Sequence, residues 1–296
     1  MASTRALCAR HAGLGLNVQA ARLLLVGLGL VGLACARRHP PPGRDDANSS
    51  EPARGAVAPP QARTVTSTVE VDGLRVQMGV LPATGTQTPS VWGFSDLAVD
   101  LQRLRLEIVP THAGAPLASL LPARGLAVIN GGYFEADFRP STWLKNGGVQ
   151  LSPQADPSKG GVLALGPAKD AQPYLGALAG LRFEPELAVQ SFPLIVEPDF
   201  KQGIRRDDGR RAARTVACLI DDTLHFLVIT APRGEGPTLF EMADWLRQPE
   251  PRGFHCRVAL NLDGGPSTGV WFSPRVAARQ RPPLANVGYA IAIVPR

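Results

Sequence analysis

Three stretches of this sequence end an apolar run abruptly in small polar residues, and chemistry belongs there. They are Val128-Ile-Asn-Gly-Gly-Tyr-Phe134, Val189-Gln-Ser-Phe-Pro-Leu-Ile195 and Ala259-Leu-Asn-Leu-Asp-Gly-Gly-Pro-Ser-Thr268. Paired glycines at a strand end let a ligand approach the backbone and meet its N–H groups. That gives Gly131, Gly132, Gly264 and Gly265 a binding role. Asn130, Gln190, Ser191, Ser267 and Thr268 supply side-chain hydrogen bonds along the same rims, with Tyr133, Thr215 and Asn261 beside them. Asp263 sets a carboxylate next to Gly264-Gly265, although an Asx-turn closing its own loop explains an aspartate there nearly as well. Any one of these loops reads as a tight turn. Two rims of the strand-Asn-x-Gly-Gly type in one chain point to a shared pocket.

Other ionisable residues are weaker candidates. Arg214 opens the apolar run Thr215–Ile220, but it also belongs to a basic cluster with Arg210 and Arg211. Glu241 is a second carboxylate, yet it stands three residues after Thr238 and so completes a helix capping box. Glu135 and Asp137 lie just past the first loop. His112, His225 and His255 have no partner spacing and read as surface or sheet residues. No Cys-x-x-Cys or His-x-x-x-His spacing suggests a metal site, and no cofactor is expected.

The elements that must position these residues are mostly strands. Val65, Val69 and Val71, then Asp72-Gly73, then Leu74, Val76 and Met78 predict a hairpin. Leu97–Leu101 with Leu104–Val109 predicts a second. Ala127–Ile129, Val162–Leu165, Val189–Val196, Thr215–Ile220, Leu224–Thr230, Val258–Leu262, Val270–Phe272 and Val287–Val294 continue the series. The clearest helix is Thr238–Arg247, where Leu239, Met242, Ala243 and Leu246 form one apolar stripe. Ala115–Leu121 predicts a short helix. The expected fold is α+β: one globular domain with a mixed, largely antiparallel β-sheet and a few helices.

The chain has 296 residues, 44% hydrophobic and 19% charged, which excludes wholesale disorder. Arginines precede an apolar run, Leu23 to Ala34, that has signal-peptide length and is too short to span a bilayer. Cys35 follows it and is the candidate lipidation site, with ordinary cleavage near Ala34 or Ala36 as the alternative. Residues 1–35 thus read as a signal peptide of lipoprotein type, residues 36–63 as a disordered proline-rich tether, and residues 64–296 as the domain. The protein is expected to be exported to the cell envelope or periplasm, held to the membrane by a lipid anchor, or else secreted. Removing Arg5, Arg10 and Arg22 lowers the net charge from +6 to +3. No basic stripe with stacking aromatics indicates nucleic acid.

Taken together, Asn-Gly-Gly-Tyr-Phe, Ala-Val-Gln-Ser with Pro-Leu-Ile, Arg214-Thr215, the capped helix and Asn-Leu-Asp-Gly-Gly-Pro-Ser-Thr resemble the phosphodiester glycosidase family. The motifs appear in that family's order over about 127–294. The resemblance implies a hydrolase that cleaves a sugar-1-phosphodiester in a cell-envelope or extracellular glycan, with a sugar-phosphate or polysaccharide as substrate. Such a reaction needs a carboxylate to stabilise an oxocarbenium-like centre or activate water. It also needs a cation on the phosphate. Asp263 takes the first role and Arg214 the second, with Glu241 as a further carboxylate. Two residues depart from the family pattern: Pro266 stands where a third glycine is usual, and Phe192 where a small residue is common. The alternative is a non-catalytic glycan-binding or polysaccharide-export accessory protein of the envelope. If Arg214 and Asp263 line one pocket on neighbouring strands, Cys218 and Cys256 are offset by about three residues, roughly 10 Å along the strand. That exceeds disulfide reach and favours free thiols, while an oxidising compartment would permit a disulfide between the two.

Overall fold

The computed structural model describes residues 62–83, 91–152, 154–167, 172–231 and 235–296. Cys35, the signal-like segment and nearly all of the proline-rich segment lie outside them. In chain order the strands begin with β1 (Thr64–Val71), β2 (Leu74–Pro82), β3 (Val91–Val99), β4 (Leu104–Ala115) and β5 (Ala127–Asn130). Then come β6 (Leu144–Asn146), β7 (Val149–Gln150), β8 (Gly161–Leu165), β9 (Tyr174–Gly176), β10 (Leu187–Ser191), β11 (Leu194–Glu197) and β12 (Lys201–Gln202). The last are β13 (Arg214–Ile220), β14 (Thr223–Thr230), β15 (Val258–Asn261), β16 (Val270–Phe272) and β17 (Val287–Pro295), with the helix α1 (Leu239–Arg247) between β14 and β15.

They form three sheets, of order β1-β2-β3-β14-β13-β15-β11-β12, β7-β6-β10-β8-β9 and β16-β5-β17-β4. Every strand pair among the described residues is antiparallel. The expected α+β fold with a largely antiparallel sheet is therefore observed, with three sheets in place of one.

Alternation along β13 shows how the sheets are held. Ala217 and Leu219 face the central core with Leu97, Ile129, Leu163, Val189 and Ile291. Val216 and Cys218 face the other side, where Met242, Ala243 and Leu246 of α1 cover the eight-stranded sheet with Trp92 and Phe94. The strand is apolar on both faces because both are buried. The helix begins as its sequence dictates. The Thr238 side chain accepts the Glu241 N–H, and Glu241 accepts the Thr238 N–H in return.

Four expectations need correction. Residues Leu97–Leu101 and Leu104–Val109 do not form a hairpin. Both edges of β3 are already taken, by β2 and β14, so the chain turns at Asp100 and β4 joins the sheet of β17 instead. The run Val189–Val196 is two strands in different sheets, β10 and β11, split at Phe192-Pro193, where proline has no N–H to donate to a ladder. Residues Ala115–Leu121 supply only a 3₁₀ turn, Leu117–Leu120.

The fourth correction is that Cys218 and Cys256 are disulfide-bonded, with Cα atoms 5.7 Å apart. Their strands are neighbours in the expected register, Cys218 opposite Ala259. The expectation failed because β15 starts only at Val258. Before it, the N–H groups of Phe254, His255 and Cys256 bond to carbonyls of Trp245, Gln248 and Leu246, drawing the chain up onto α1. His255 has a φ of 57°, and the extended offset never develops. Cys256 thus returns over the face on which Cys218 points.

The bridge closes a loop with a sequence separation of 38 residues. Its chain-entropy contribution is about 4 kcal/mol. A Cys218→Ala/Cys256→Ala variant is expected to lose about 2–4 kcal/mol in urea unfolding. Equal stability with and without the bridge would show that the packing around α1 fixes this corner unaided.

Candidate active site

The three loops singled out by sequence meet where the sheets meet. β5 ends at Asn130, whose fully buried amide makes four hydrogen bonds. Its Nδ2 donates to the carbonyls of Asp263 (2.9 Å) and Gly131 (3.2 Å). Its Oδ1 accepts from the Thr215 hydroxyl (2.6 Å) and the Gly269 N–H (3.1 Å). The main chain adds Asp263 N–H to Gly131 O (3.1 Å) and Leu262 N–H to Thr215 O (2.9 Å). Asn261 plays a parallel role at the end of β15. Its Nδ2 donates to the carbonyls of Leu262 and Phe192 and lies 2.7 Å from the Tyr133 hydroxyl. One loop of each strand end is thereby fixed against the next.

The first glycine pair has a different purpose from the one its sequence suggests. A Cβ on Gly131 would lie 2.2 Å from Cε2 of Tyr289, and one on Gly132 would lie 2.6 Å from the Tyr289 hydroxyl. The glycines make room for this buried tyrosine, which accepts the Gly132 N–H at 2.7 Å. Burial pushes its phenol far above the ordinary range, so it stays protonated. Sequence reading missed Tyr289 because nothing local marks it within the apolar run of β17. In the second pair, Gly265 has a φ of 61° and nothing within 4 Å of a Cβ position, and its N–H bonds to Ala213 O.

Asp263 and Arg214 stand at this second rim. The carboxylate accepts the Gly264 N–H at 2.8 Å and a hydrogen bond from Ser267. Burial outweighs both and raises its pKa above the ordinary 3.8. Arg214 is 8% exposed. Its Nε donates to Pro237 O (3.1 Å) and its Nη2 to Arg210 O (2.7 Å). No protein acceptor is recorded for Nη1 among the described residues, and a Cβ on Gly264 would lie 3.8 Å from it. No ion pair joins Arg214 to Asp263 among the described residues. Tyr133 responds to both charges. Burial and Asp263 raise its pKa, while Arg214 and the Asn261 hydrogen bond lower it. Its ring stacks on Phe192 with centroids 4.5 Å apart, and Phe192 is 37% exposed.

Several predicted residues fall elsewhere. Glu241 is occupied by the capping box and by a two-point pair with Arg211 at 2.8 and 3.0 Å. Asn130 and Gln190, expected to bind ligand, spend their hydrogen bonds inside the protein. Gln190 bonds with Asp156, Lys159 and Trp143, and both residues are fully buried. Thr215 is committed to Asn130. In contrast, Ser191 Oγ, Asn261 Oδ1 and Thr268 Oγ1 are buried with no partner among the described residues. Asp137 sits at the surface, bonded to Arg139. His225 is a sheet residue, as expected, with Nδ1 2.7 Å from buried Asp96. Among the described residues no group of three or more His, Cys, Asp or Glu is arranged to hold a metal ion.

One loop junction of this antiparallel multi-sheet fold thus holds a half-buried carboxylate and an arginine whose Nη1 has no protein acceptor among the described residues. The chain belongs to the phosphodiester glycosidase family, whose model matches residues 124–294, more than half of its length. Three solved structures share the fold. The catalytic domain of zebrafish N-acetylglucosamine-1-phosphodiester alpha-N-acetylglucosaminidase, auto-inhibited by its pro-peptide, is 15% identical. That match has a TM-score of 0.60 and covers 80% of this chain and 87% of that one. A hypothetical protein from Synechocystis is 15% identical with a TM-score of 0.51, covering 76% of this chain but 62% of its own length. A protein assigned as exported, from Burkholderia pseudomallei, is 14% identical with a TM-score of 0.54, covering 71% and 75%. At these identities the likeness is one of fold. A search of curated proteins finds no match.

Two outcomes test the site. Asn130→Ala would strand the Thr215 hydroxyl, the Gly269 N–H and the Asp263 carbonyl, and should cost about 3 kcal/mol in urea unfolding. An unchanged midpoint would mean that the loops hold themselves. Asp263 binds its proton more tightly folded than unfolded. Its contribution therefore favours the native state below the ordinary 3.8 and is lost as pH rises through the raised native value. Asp263→Asn should be more stable than the parent at about pH 7 and equal to it near about pH 3. Lower stability of the variant at neutral pH would show that the ionised carboxylate is stabilised in place.

Proposed function

We propose that the protein hydrolyses the bond between a sugar's anomeric carbon and a phosphodiester in a cell-envelope or extracellular glycan. The observation that carries this is the placement, at one rim of a phosphodiester glycosidase fold, of half-buried Asp263 and of Arg214, whose Nη1 has no protein acceptor among the described residues. The substrate named for the zebrafish relative belongs to the same chemical class.

Asp263 activates a water that attacks the anomeric carbon. The carbon–oxygen bond to phosphate breaks, and its electron pair leaves with the phosphate oxygen. The water's proton passes to Asp263, whose burial makes it a stronger base than an ordinary aspartate. Arg214 Nη1 donates to the departing phosphate, which needs little help from an acid. Tyr133, which stays protonated, can donate a hydrogen bond to the sugar or the phosphate.

Export fits the same reading. The apolar run before Cys35 supports a signal peptide with a lipid anchor. The Cys218–Cys256 bridge suits an oxidising compartment. A second reading, a glycan-binding protein without turnover, is favoured by the exposed Phe192 stacked on Tyr133, a flat surface suited to a sugar ring.

The test is release of sugar from a panel of sugar-1-phosphodiesters by the purified protein. Asp263→Asn should lower kcat by about 10²–10⁴-fold. Arg214→Lys should raise KM by about tenfold, because an ammonium cannot reproduce a guanidinium held by two carbonyls. Turnover that survives Asp263→Asn moves the catalytic role to another residue. Binding of the panel without product supports the second reading.

A further inference from the structure

The segment from Gly203, just after β12, to Arg214, the first residue of β13, carries five arginines and two aspartates. It runs along the second rim. The Arg210 carbonyl holds Arg214 Nη2, and the Ala213 carbonyl accepts the Gly265 N–H. The arginines are not equivalent. Arg214 is the buried clamp. Arg211 is neutralised by Glu241 through two hydrogen bonds. Arg210 stands 3.8 Å from Asp208 in an exposed pair. Arg205 and Arg206 are exposed and have no hydrogen bond or ion pair among the described residues. Nor are the two aspartates aimed at them. Asp207 accepts the Gly209 N–H, and Asp208 accepts the Arg210 N–H and faces its guanidinium. Counting Glu241, the segment keeps an excess of two positive charges.

Arg205 and Arg206 are adjacent like charges, which repel, and no recorded hydrogen bond or ion pair among the described residues offsets this. Three residues separate Arg206 from Arg210, whose carbonyl holds the clamp. The Cα of Arg206 therefore lies within about 14 Å of the Arg210 Cα. One arginine is thus held at the rim by main-chain carbonyls, and two more stand exposed on the same short segment, a few residues before the carbonyl that holds it.

We propose that Arg205 and Arg206 form a second anionic subsite, for a neighbouring phosphodiester of a polymeric substrate. The protein would then act on glycans linked repeatedly through phosphate in preference to single sugar-phosphate diesters. The inference rests on the reading of Arg214 as the phosphate clamp. It leaves the sugar open and fixes the charge pattern of the chain.

The test uses binding, so that it does not depend on turnover. A fluorescently labelled glycosyl-phosphate trimer and the matching monomer are titrated into the full-length Asp263→Asn protein by anisotropy. The trimer should bind about tenfold more tightly, two exposed contacts being expected to add that much. Adding Arg205→Ser and Arg206→Ser should bring trimer and monomer to within about twofold, as should raising salt from about 50 to about 500 mM. An unchanged thermal midpoint controls for folding. Equal affinity for trimer and monomer overturns the inference, as does a trimer advantage that survives the double substitution. A neutral glycan trimer with one terminal phosphate that competes as well as the polyphosphate also overturns it, since sugar contacts would then supply the affinity. Absence of turnover on any substrate, with the trimer preference intact, would instead remove the hydrolase reading and leave an anionic-glycan site.

Discussion

A single buried amide joins the parts of this site. Asn130 has two donors and two acceptor positions, and all are in use. Its own strand belongs to the four-stranded sheet, while Thr215 belongs to the eight-stranded one. The bonds to Asp263 and Gly269 bracket the loop that carries the carboxylate. Burial makes each bond costly to leave unmade, so the loop has one arrangement in place of many. With its main chain held from both sides, Asp263 has its carboxylate bonded only to the adjacent Gly264 N–H and to Ser267 among the described residues.

The same economy governs the charges. Asp263 and Arg214 are both largely withdrawn from water, and the pKa of each shifts toward the neutral form for that reason. A direct ion pair would relieve the cost, but it would also occupy both groups. Instead Arg214 is fixed by two main-chain carbonyls, and Asp263 by an N–H and a hydroxyl. Dipoles arranged in advance keep the two groups apart and ready, and an electrostatic site needs that property. Tyr133 bridges the region, tied to Asn261 on one side and stacked on Phe192 on the other. Phe192 therefore lies against a ring whose phenol feels both charges.

Much of the fold was legible locally. The Asp72-Gly73 hairpin, the capping box of Thr238 and Glu241 and most strands follow from turn residues, caps and alternation. Glu241 shows how far such reading reaches, since the motif that explained it locally is the one it makes in space. The failures share a cause. The assumed hairpin of residues 97–109 ignored that β3 had both edges filled, and the run 189–196 hid a change of sheet at Pro193. The free-thiol expectation assumed that β15 stayed extended, when α1 bends its approach. Edge occupancy, sheet membership and strand entry angle are set by residues far away in the chain.

The sequence by itself determined the strand series, the helix boundary, the glycine-bearing loops and the family, because each is written in spacing within a few residues or in one linear motif order. Only the tertiary structure decided which polar residues face inward. Asn130 and Gln190 looked like ligand contacts and are fasteners, whereas Ser191, Asn261 and Thr268 each keep a buried polar atom with no partner among the described residues. It also decided that Gly131 and Gly132 serve Tyr289, more than 150 residues away. Hydrogen-bond capacity is a property of the side chain, but whether it is already spent depends on which distant groups arrive beside it.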